Sequence, residues 1–506
     1  MAWEKQLEEK QQREAFAEKM GGEEKVARQH SRGKMDVRQR ISHMADKGSF
    51  REVGKLAGKG TYGTDGILER VAPANFLFGR ANVDGRAVVL TGDDFTVRGG
   101  AADAAIARKV MQAEQMAHEW NLPIIRMIDG TGGGGSVKSL EDMGLTYVPY
   151  LPGWEHVVHN LDRVPVVALA LGSVAGLGAA RIVASHFSVM VSGLSHMFTA
   201  GPAIVAAIGE KLDKEELGGA DIHSRNGAVD MVVESEEAAF EAARKFLSYL
   251  PSYAGEQPPI LECLDPTLRR DKSLQNAVPE DRQLAYSMRQ ILRSVFDKDS
   301  LFEIGQRWGQ SVITSLARLN GYPVALIASD PAFMGGSWGA DTARKVERFV
   351  KIANIFKLPV VHFVDNPGFM IGREAEKAAT IRFGVDALNS IYRSTVPWAT
   401  VIIRKAYGVA GAAMSKHTDF QYRIAWPSGD WGSLPLEGGI EVAYKAELEA
   451  ADDPEAHLAN IKERLDKVRS PFRTAEAFLV EDIIDPRDTR PRLCEFVSLA
   501  QKKMGF

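Results

Sequence analysis

The chain carries one pattern twice. Residues 83–132 and 319–368 align without a gap at an offset of 236, and 16 of the 50 positions are identical. Unrelated segments would share roughly 6% by composition. Gly85, Asp94, Gly99-Gly100, Ala107-Arg108-Lys109-Val110, Leu122-Pro123, Asp129 and Gly132 recur as Gly321, Asp330, Gly335-Gly336, Ala343-Arg344-Lys345-Val346, Leu358-Pro359, Asp365 and Gly368. The echo extends outward. Arg38-Gln39 and Asp46-Lys47 recur as Arg289-Gln290 and Asp297-Lys298, and Gly176-Leu177-Gly178-Ala179-Ala180 recurs as Gly408-Val409-Ala410-Gly411-Ala412. A repeat of this length predicts two related domains, and 506 residues exceed what one ordinary core organises. The expected division is 1–260 and 261–506, joined through the Pro-rich stretch 251–285. Two such domains suggest two pseudo-equivalent sites and a reaction with two partners of similar size.

Apolar, β-branched runs alternate with helical periods in both halves. Ala87–Thr91, Pro123–Ile128 and Val164–Leu171 read as strands, with helices over Ala101–Trp120 and Leu151–Asn160. The second half repeats the order: strands over 323–328, 359–364 and 397–403, helices over 339–356 and 374–394. Residues 1–30 read as a charged helical arm, and 445–506 as a charged helical tail. This alternation is the signature of an α/β fold. The net charge of −4 gives no electrostatic case for nucleic acid or an anionic membrane, though local basic clusters suit a phosphorylated ligand. Two distant cysteines, Cys263 and Cys494, argue against a disulfide framework or a zinc site, and no metal is expected. With no apolar leader and no run approaching ~20 apolar residues, the chain reads as cytoplasmic, without a membrane span.

Three constellations carry chemistry. The small-residue runs from Gly176 and Gly408 each follow an apolar strand, so a helix begins there with unobstructed backbone N–H groups. Such amides hold a developing oxyanion; close helix–sheet packing also asks for Gly and Ala. The loops Asp129-Gly130-Thr131-Gly132-Gly133-Gly134-Gly135 and Asp365-Asn366-Pro367-Gly368-Phe369 follow strands, where α/β folds bind ligands. Gly132, Gly133 and Gly134 would admit a ligand against bare backbone, or form a plain turn. Gly99 and Gly100 precede Lys109, which is a candidate for a phosphate or carboxylate partner unless the shared pattern only records common descent. No GxSxG, HExxH, GxGxxG or Walker sequence is present. The site is expected to consist of backbone amides.

Several longer stretches make the chain similar to the carboxyltransferase (β) subunits of biotin-dependent acyl-CoA carboxylases, the propionyl-CoA and methylcrotonyl-CoA carboxylase family. They include Arg32-Gly33-Lys34, Asp94-Phe95-Thr96-Val97, Ser195-His196-Met197-Phe198-Thr199-Ala200-Gly201-Pro202, Glu215-Glu216-Leu217-Gly218-Gly219-Ala220, Asn366-Pro367-Gly368-Phe369, Arg404-Lys405-Ala406-Tyr407-Gly408 and Asp485-Pro486-Arg487-Asp488. The resemblance covers roughly 25–506. It implies a duplicated crotonase-like fold of ββα superhelix domains, with acyl-CoA on the N-terminal half and biotin on the C-terminal half. It further implies hexamers in which the N-half of one subunit meets the C-half of another. By the same resemblance, one pair of oxyanion amides falls on Gly176 and Leu177, the other on Val409 and Ala410. One holds the thioester oxygen and the other the ureido oxygen, while CO2 moves from carboxybiotin to the acyl-CoA enolate. Gly408 and Ala412 would line the substrate region. No Ala-Met-Lys-Met type biotin attachment sequence occurs, so a biotin carboxylase and carrier partner is implied.

The chain departs from that family where specificity is expected. The family carries Asp at the position of Ala412, and this exchange favours a bulkier or unusual acyl group. Trp431 and Leu434-Pro435-Leu436 are also unlike common members, and the loop from Thr131 lacks a family Arg. Two further functions stay open: a biotin-dependent acyl-CoA decarboxylase subunit, because one site serves both directions, and a non-catalytic CoA-binding scaffold.

Overall fold

Two hairpins anchor the two copies of the repeat. Phe76–Val83 turns back as Arg86–Asp93 through Asp84-Gly85, and Val312–Leu319 turns back as Tyr322–Ser329 through Asn320-Gly321. All four loop residues have positive φ, 50° and 78° in the first turn and 51° and 79° in the second. That is the geometry for which Asp-Gly and Asn-Gly are suited. The recurring aspartates close these turns. The Asp46 carboxylate accepts from the Asp84 and Gly85 amides at 3.0 and 2.8 Å, and Asp297 accepts from Asn320 and Gly321 at the same distances.

The computed structural model describes residues 3–101, 104, 106–132, 140–141, 144–148, 151 and 153–506. The chain divides into two units, Met1–Glu256 and Gln257–Phe506, within the Pro-rich stretch. The first unit is built on a seven-stranded sheet. Its spatial order is Arg51–Glu52, Phe76–Val83, Arg86–Asp93, Ile124–Ile128, Val166–Ala170, Phe187–Val191 and Met231–Val233. The hairpin end is antiparallel and the rest parallel, with helices Ala107–Glu119 and Trp154–Arg163 on the crossovers. Every residue of Ile124–Ile128, Val166–Ala170 and Phe187–Val191 is buried, as expected of strands covered on both faces. A small three-stranded sheet joins Thr131–Gly132, Ser173–Gly176 and His196–Phe198.

The second unit repeats the plan in an eight-stranded sheet. Phe302–Ile304, Val312–Leu319, Tyr322–Ser329, Val360–Asn366, Trp398–Tyr407, Tyr422–Ala425 and Asp482–Ile483 lie in that order, and Asp430–Gly432 also pairs with Trp398–Tyr407. Its core packs Leu326, Phe363, Val401 and Trp426 against Ile291, Leu292, Phe296, Leu493 and Val497.

Three expected elements are redrawn. The helix expected from Ala101 begins at Ala107, because Arg98, Gly99, Gly100 and Ile106 all have positive φ. The helix expected over 374–394 is two helices, Arg373–Lys377 and Thr380–Arg393, interrupted at the left-handed Ala379. The N-terminal arm is likewise two helices, Glu4–Glu18 and Glu23–His30, broken at Met20 and Gly22.

Candidate active site

Each small-residue run starts a short helix at a glycine that only glycine suits. Gly176 has φ 59° and ψ −124° and caps Leu177–Val183; Gly408 has φ 60° and opens Gly408–Ala412. First-turn amides have no intrahelical acceptor, so Leu177 and Gly178, and Val409 and Ala410, present donors that the helix itself does not use. The pair Gly176 and Leu177 straddles its left-handed glycine, whereas Val409 and Ala410 follow theirs. The two assigned pairs are therefore offset by one position. Gly176 is exposed and Leu177 half-buried; Val409 is exposed, Ala410 buried and Ala412 exposed. A Cβ built on Gly408 meets nothing nearer than the Ser433 carbonyl oxygen at 3.5 Å.

The two runs are supported differently. In the first unit Gly176 belongs to Ser173–Gly176, a separate strand after Val166–Ala170, and Gly132 pairs directly with it. The sheet thus brings the Thr131–Gly132 loop start beside the helix start. Gly133 and Gly134 lie outside the described residues. On the other flank His196–Phe198 pairs with Ser173–Ala175. His196 Nδ1 lies 3.2 Å from Ser173 Oγ, and its Nε2 lies 3.2 Å from a Glu215 carboxylate oxygen. In the second unit Trp398–Tyr407 runs unbroken into Gly408, and Tyr407 pairs with Gly432. Trp431 packs beneath, its Nε1 donating to Thr474 Oγ1 at 3.0 Å, and Arg469 holds the buried Asp430 at 2.7 and 2.6 Å.

Below each loop lies a fully buried carboxylate, the aspartate that opens the candidate ligand loop in the sequence. Asp129 accepts from Arg40 at 2.8 Å and from Lys34 at 2.7 Å, and Arg40 also binds Glu236 at 2.7 and 2.9 Å. Asp365 accepts from Arg404 at 3.0 Å, from the Lys405 amide at 2.9 Å and from Tyr286 Oη at 2.9 Å. Burial beside that carboxylate drives the Tyr286 phenol well above its ordinary range. Asp93, whose side chain accepts from the Asp129 amide at 3.2 Å, is pushed up to about 6 by burial, against the pull of Arg181. A third buried cluster joins Glu114 to Arg126 at 2.9 and 2.7 Å and to Arg181 at 3.0 Å. Burial alone would raise the Glu114 carboxyl, but the two guanidiniums overcome it and bring it down to about 2.

The Gly99-Gly100 and Lys109 candidates take structural places. Gly100 backs onto the next loop: a Cβ there would lie 2.7 Å from the Asp129 carbonyl oxygen, and one on Gly336 would lie 2.3 Å from that of Asp365. Gly99 has φ 63° and its counterpart Gly335 61°. Lys109 is 7% exposed, its stem against Gly54, and burial lowers its pKa. Its counterpart Lys345 is 3% exposed and donates to the Val312 carbonyl at 2.7 Å. Lys109 thus faces inward, and Arg108 is the exposed member of the pair. Exposed cations gather instead around a cavity of about 320 Å³ lined by Lys25, Lys59, Arg70 and Arg98, with Ala72, Pro73, Val97 and Ile106 supplying an apolar floor.

The family described as carboxyl transferase domain matches residues 28–506. The propionyl-CoA carboxylase carboxyltransferase subunit of Haloferax mediterranei is 32% identical over 99% of this chain and 97% of its own length. The methylmalonyl-CoA decarboxylase subunit alpha of Veillonella parvula is 29% identical over 96% of this chain and 93% of its own. Among solved structures, the transcarboxylase 12S hexamer with methylmalonyl-coenzyme A and methylmalonic acid bound has a TM-score of 0.87 at 30% identity, covering 98% of this chain and 95% of that one.

Proposed function

The chain belongs to the carboxyl transferase family, and we propose that it carboxylates the α-carbon of an acyl-CoA in partnership with a biotin-bearing carrier. It is a carboxyltransferase of crotonase-like fold. The observation that carries the finer reading is the duplication of one device: a glycine at φ 59° or 60° that opens a short helix at the end of the strand before it. Each chemical partner develops negative charge on one oxygen, and preorganised amides are the most economical way to stabilise such charge. On this reading the Gly176–Leu177 amides hold the thioester oxygen as the α-carbon loses its proton. The Val409 and Ala410 amides hold the oxygen of the biotin ureido ring. Carboxybiotin, when bound, supplies the carboxyl group.

The open space at Gly408 and the exposed Val409 and Ala412 fit a planar ring approaching edge-on. The cavity around Lys59, Arg70 and Arg98 fits the phosphates of CoA, and its apolar floor fits the adenine or pantetheine. Ala412, small and exposed at the end of its helix, leaves room for an acyl group larger than propionyl. Assembly as a hexamer follows the transcarboxylase 12S precedent. Incubating the chain with a biotin carboxylase and carrier, ATP, bicarbonate and acyl-CoAs of graded length tests the whole reading. A carboxylated product with one chain length preferred is expected; no product with any acyl-CoA overturns it. The similarity to a decarboxylase subunit favours the reverse direction as the second reading, and co-purification with a multi-span membrane subunit instead of an ATP-dependent biotin carboxylase would select it.

A further inference from the structure

Three histidines meet on the surface of the first unit, and none of them is assigned a role above. His118 lies in the last turn of helix Ala107–Glu119, and His156 and His159 lie one turn apart on helix Trp154–Arg163, which packs against it. His118 Nε2 and His156 Nδ1 are 2.9 Å apart, the rings stack with centroids 5.1 Å apart, and His159 meets His118 edge-on at 5.4 Å. One ligand nitrogen from each of the three lies within 4.8 Å of the others. Among the described residues, this is the one group of three or more His, Cys, Asp or Glu side chains so arranged.

We propose that His118, His156 and His159 form a binding site for a divalent transition-metal ion of the zinc class. Three imidazoles spaced i, i+3 and across a helix pair supply the nitrogen ligands that such ions prefer over oxygen-seeking Mg2+ or Ca2+. A tetrahedral ion with ~2.0–2.1 Å Zn–N bonds spaces its ligand nitrogens about 3.4 Å apart, so small rotations of the three rings complete the site. The shared hydrogen bond between His118 and His156 would give way to the metal. Three protein ligands leave a fourth position for water. The bound ion would cross-link two helices of the first unit.

The test uses the untagged full-length chain, stripped with a chelator and exchanged into chelator-free buffer. It is titrated with Zn2+ by calorimetry and with Co2+ by visible absorption. One equivalent per chain is expected, with the intense visible bands of four-coordinate Co2+ and a raised melting temperature with Zn2+. His118→Ala and His159→Ala should each weaken binding by at least about tenfold while leaving the metal-free melting temperature and the acyl-CoA carboxylation rate near those of the parent. Absence of a stoichiometric Zn2+ site in the parent overturns the proposal. So does unchanged binding in the triple alanine variant, which would put the ion elsewhere. Because carboxylation is measured separately, failure here leaves the carboxyltransferase reading standing.

Discussion

Asp129 and Asp365 occupy the same place in the repeat but are neutralised from different directions. In the second unit Arg404, on the strand before Gly408, reaches Asp365. The counterpart of Arg404, counted back from the two left-handed glycines, is Gly172. A Cβ there would sit 1.9 Å from Asp129 Oδ1 and 2.5 Å from Lys34 Nζ. The missing side chain is what lets Lys34, between two N-terminal helices, and Arg40, on helix Val37–Met44, reach Asp129. Gly172→Ala should therefore break a buried ion pair, costing about 3–5 kcal/mol, as read by urea denaturation; a loss below 1 kcal/mol would show that the network yields. A second residue carries a pH signature. His362 is fully buried, and its pKa falls to about 4 from an ordinary 6.5 because burial penalises the charged ring, while its Nδ1 lies 3.0 Å from the Met414 carbonyl oxygen. A depressed folded-state value means that stability is fully present above pH 6.5 and is lost as pH falls through 4, by about 3 kcal/mol across that window. His362→Gln keeps a donor for Met414 and should flatten that acid slope in denaturation midpoints measured from pH 7 to 4. Little of this residue-level detail is legible beforehand. The recurrence of Asp129 as Asp365 is visible, but the cations that hold them stand at unrelated sequence positions.

On the proposed reading, function rests on the short helices after Gly176 and Gly408, whose donors belong to the backbone. Side-chain truncation cannot remove an N–H, but proline can. At a first-turn position its missing N–H breaks no intrahelical bond and its fixed φ is helical. Val409 is 50% exposed, so Val409→Pro sacrifices little packing. It should lower kcat by about 10²–10³-fold, the effect of one oxyanion donor, with a melting temperature near that of the parent. Val409→Ala, which keeps the amide, should stay within a few-fold. If both variants behave alike, the Val409 amide is not a donor. On the same helix, Ala412→Asp should shift relative rates toward short acyl-CoAs, and unchanged ratios across chain lengths would remove this side chain from the acyl pocket. The glycine-led starts were legible because the run recurs. The strand Ser173–Gly176 was not, since four residues, most of them small, are too short a run to show a period. The hairpins went unread although Asp84-Gly85 and Asn320-Gly321 carry the signal for them, and the distant Asp46 and Asp297 acquire meaning only once those turns exist.

At the scale of the molecule, much of the repeat records how the chain folds. Gly85 and Gly321, Gly99 and Gly335, and Gly100 and Gly336 share left-handed backbone, and Lys109 and Lys345 share burial. These identities survive because two α/β units need the same turns and the same close approaches. What has diverged is the surface of each unit: a basic hairpin in the first, and Ala412 and Trp431 beside the helix start in the second. Divergence of that kind predicts separable tasks. If CoA phosphates bind at Lys59 and Arg70 on the hairpin Gly58–Tyr62 and Leu68–Pro73, removing either cation deletes a charge-assisted contact worth about 1.5–3 kcal/mol. Lys59→Ala and Arg70→Ala should then raise the acyl-CoA KM by about tenfold or more, with kcat and the KM for carboxylated carrier unchanged. Added salt should raise the parent's acyl-CoA KM and affect these variants less, because the screened charges are already gone. Val409→Pro, in the other unit, should show the opposite split: a lower kcat with an unaltered acyl-CoA KM. A rise in acyl-CoA KM from the Val409 change, or none from the two cation variants, would mean that the units do not divide the two partners between them.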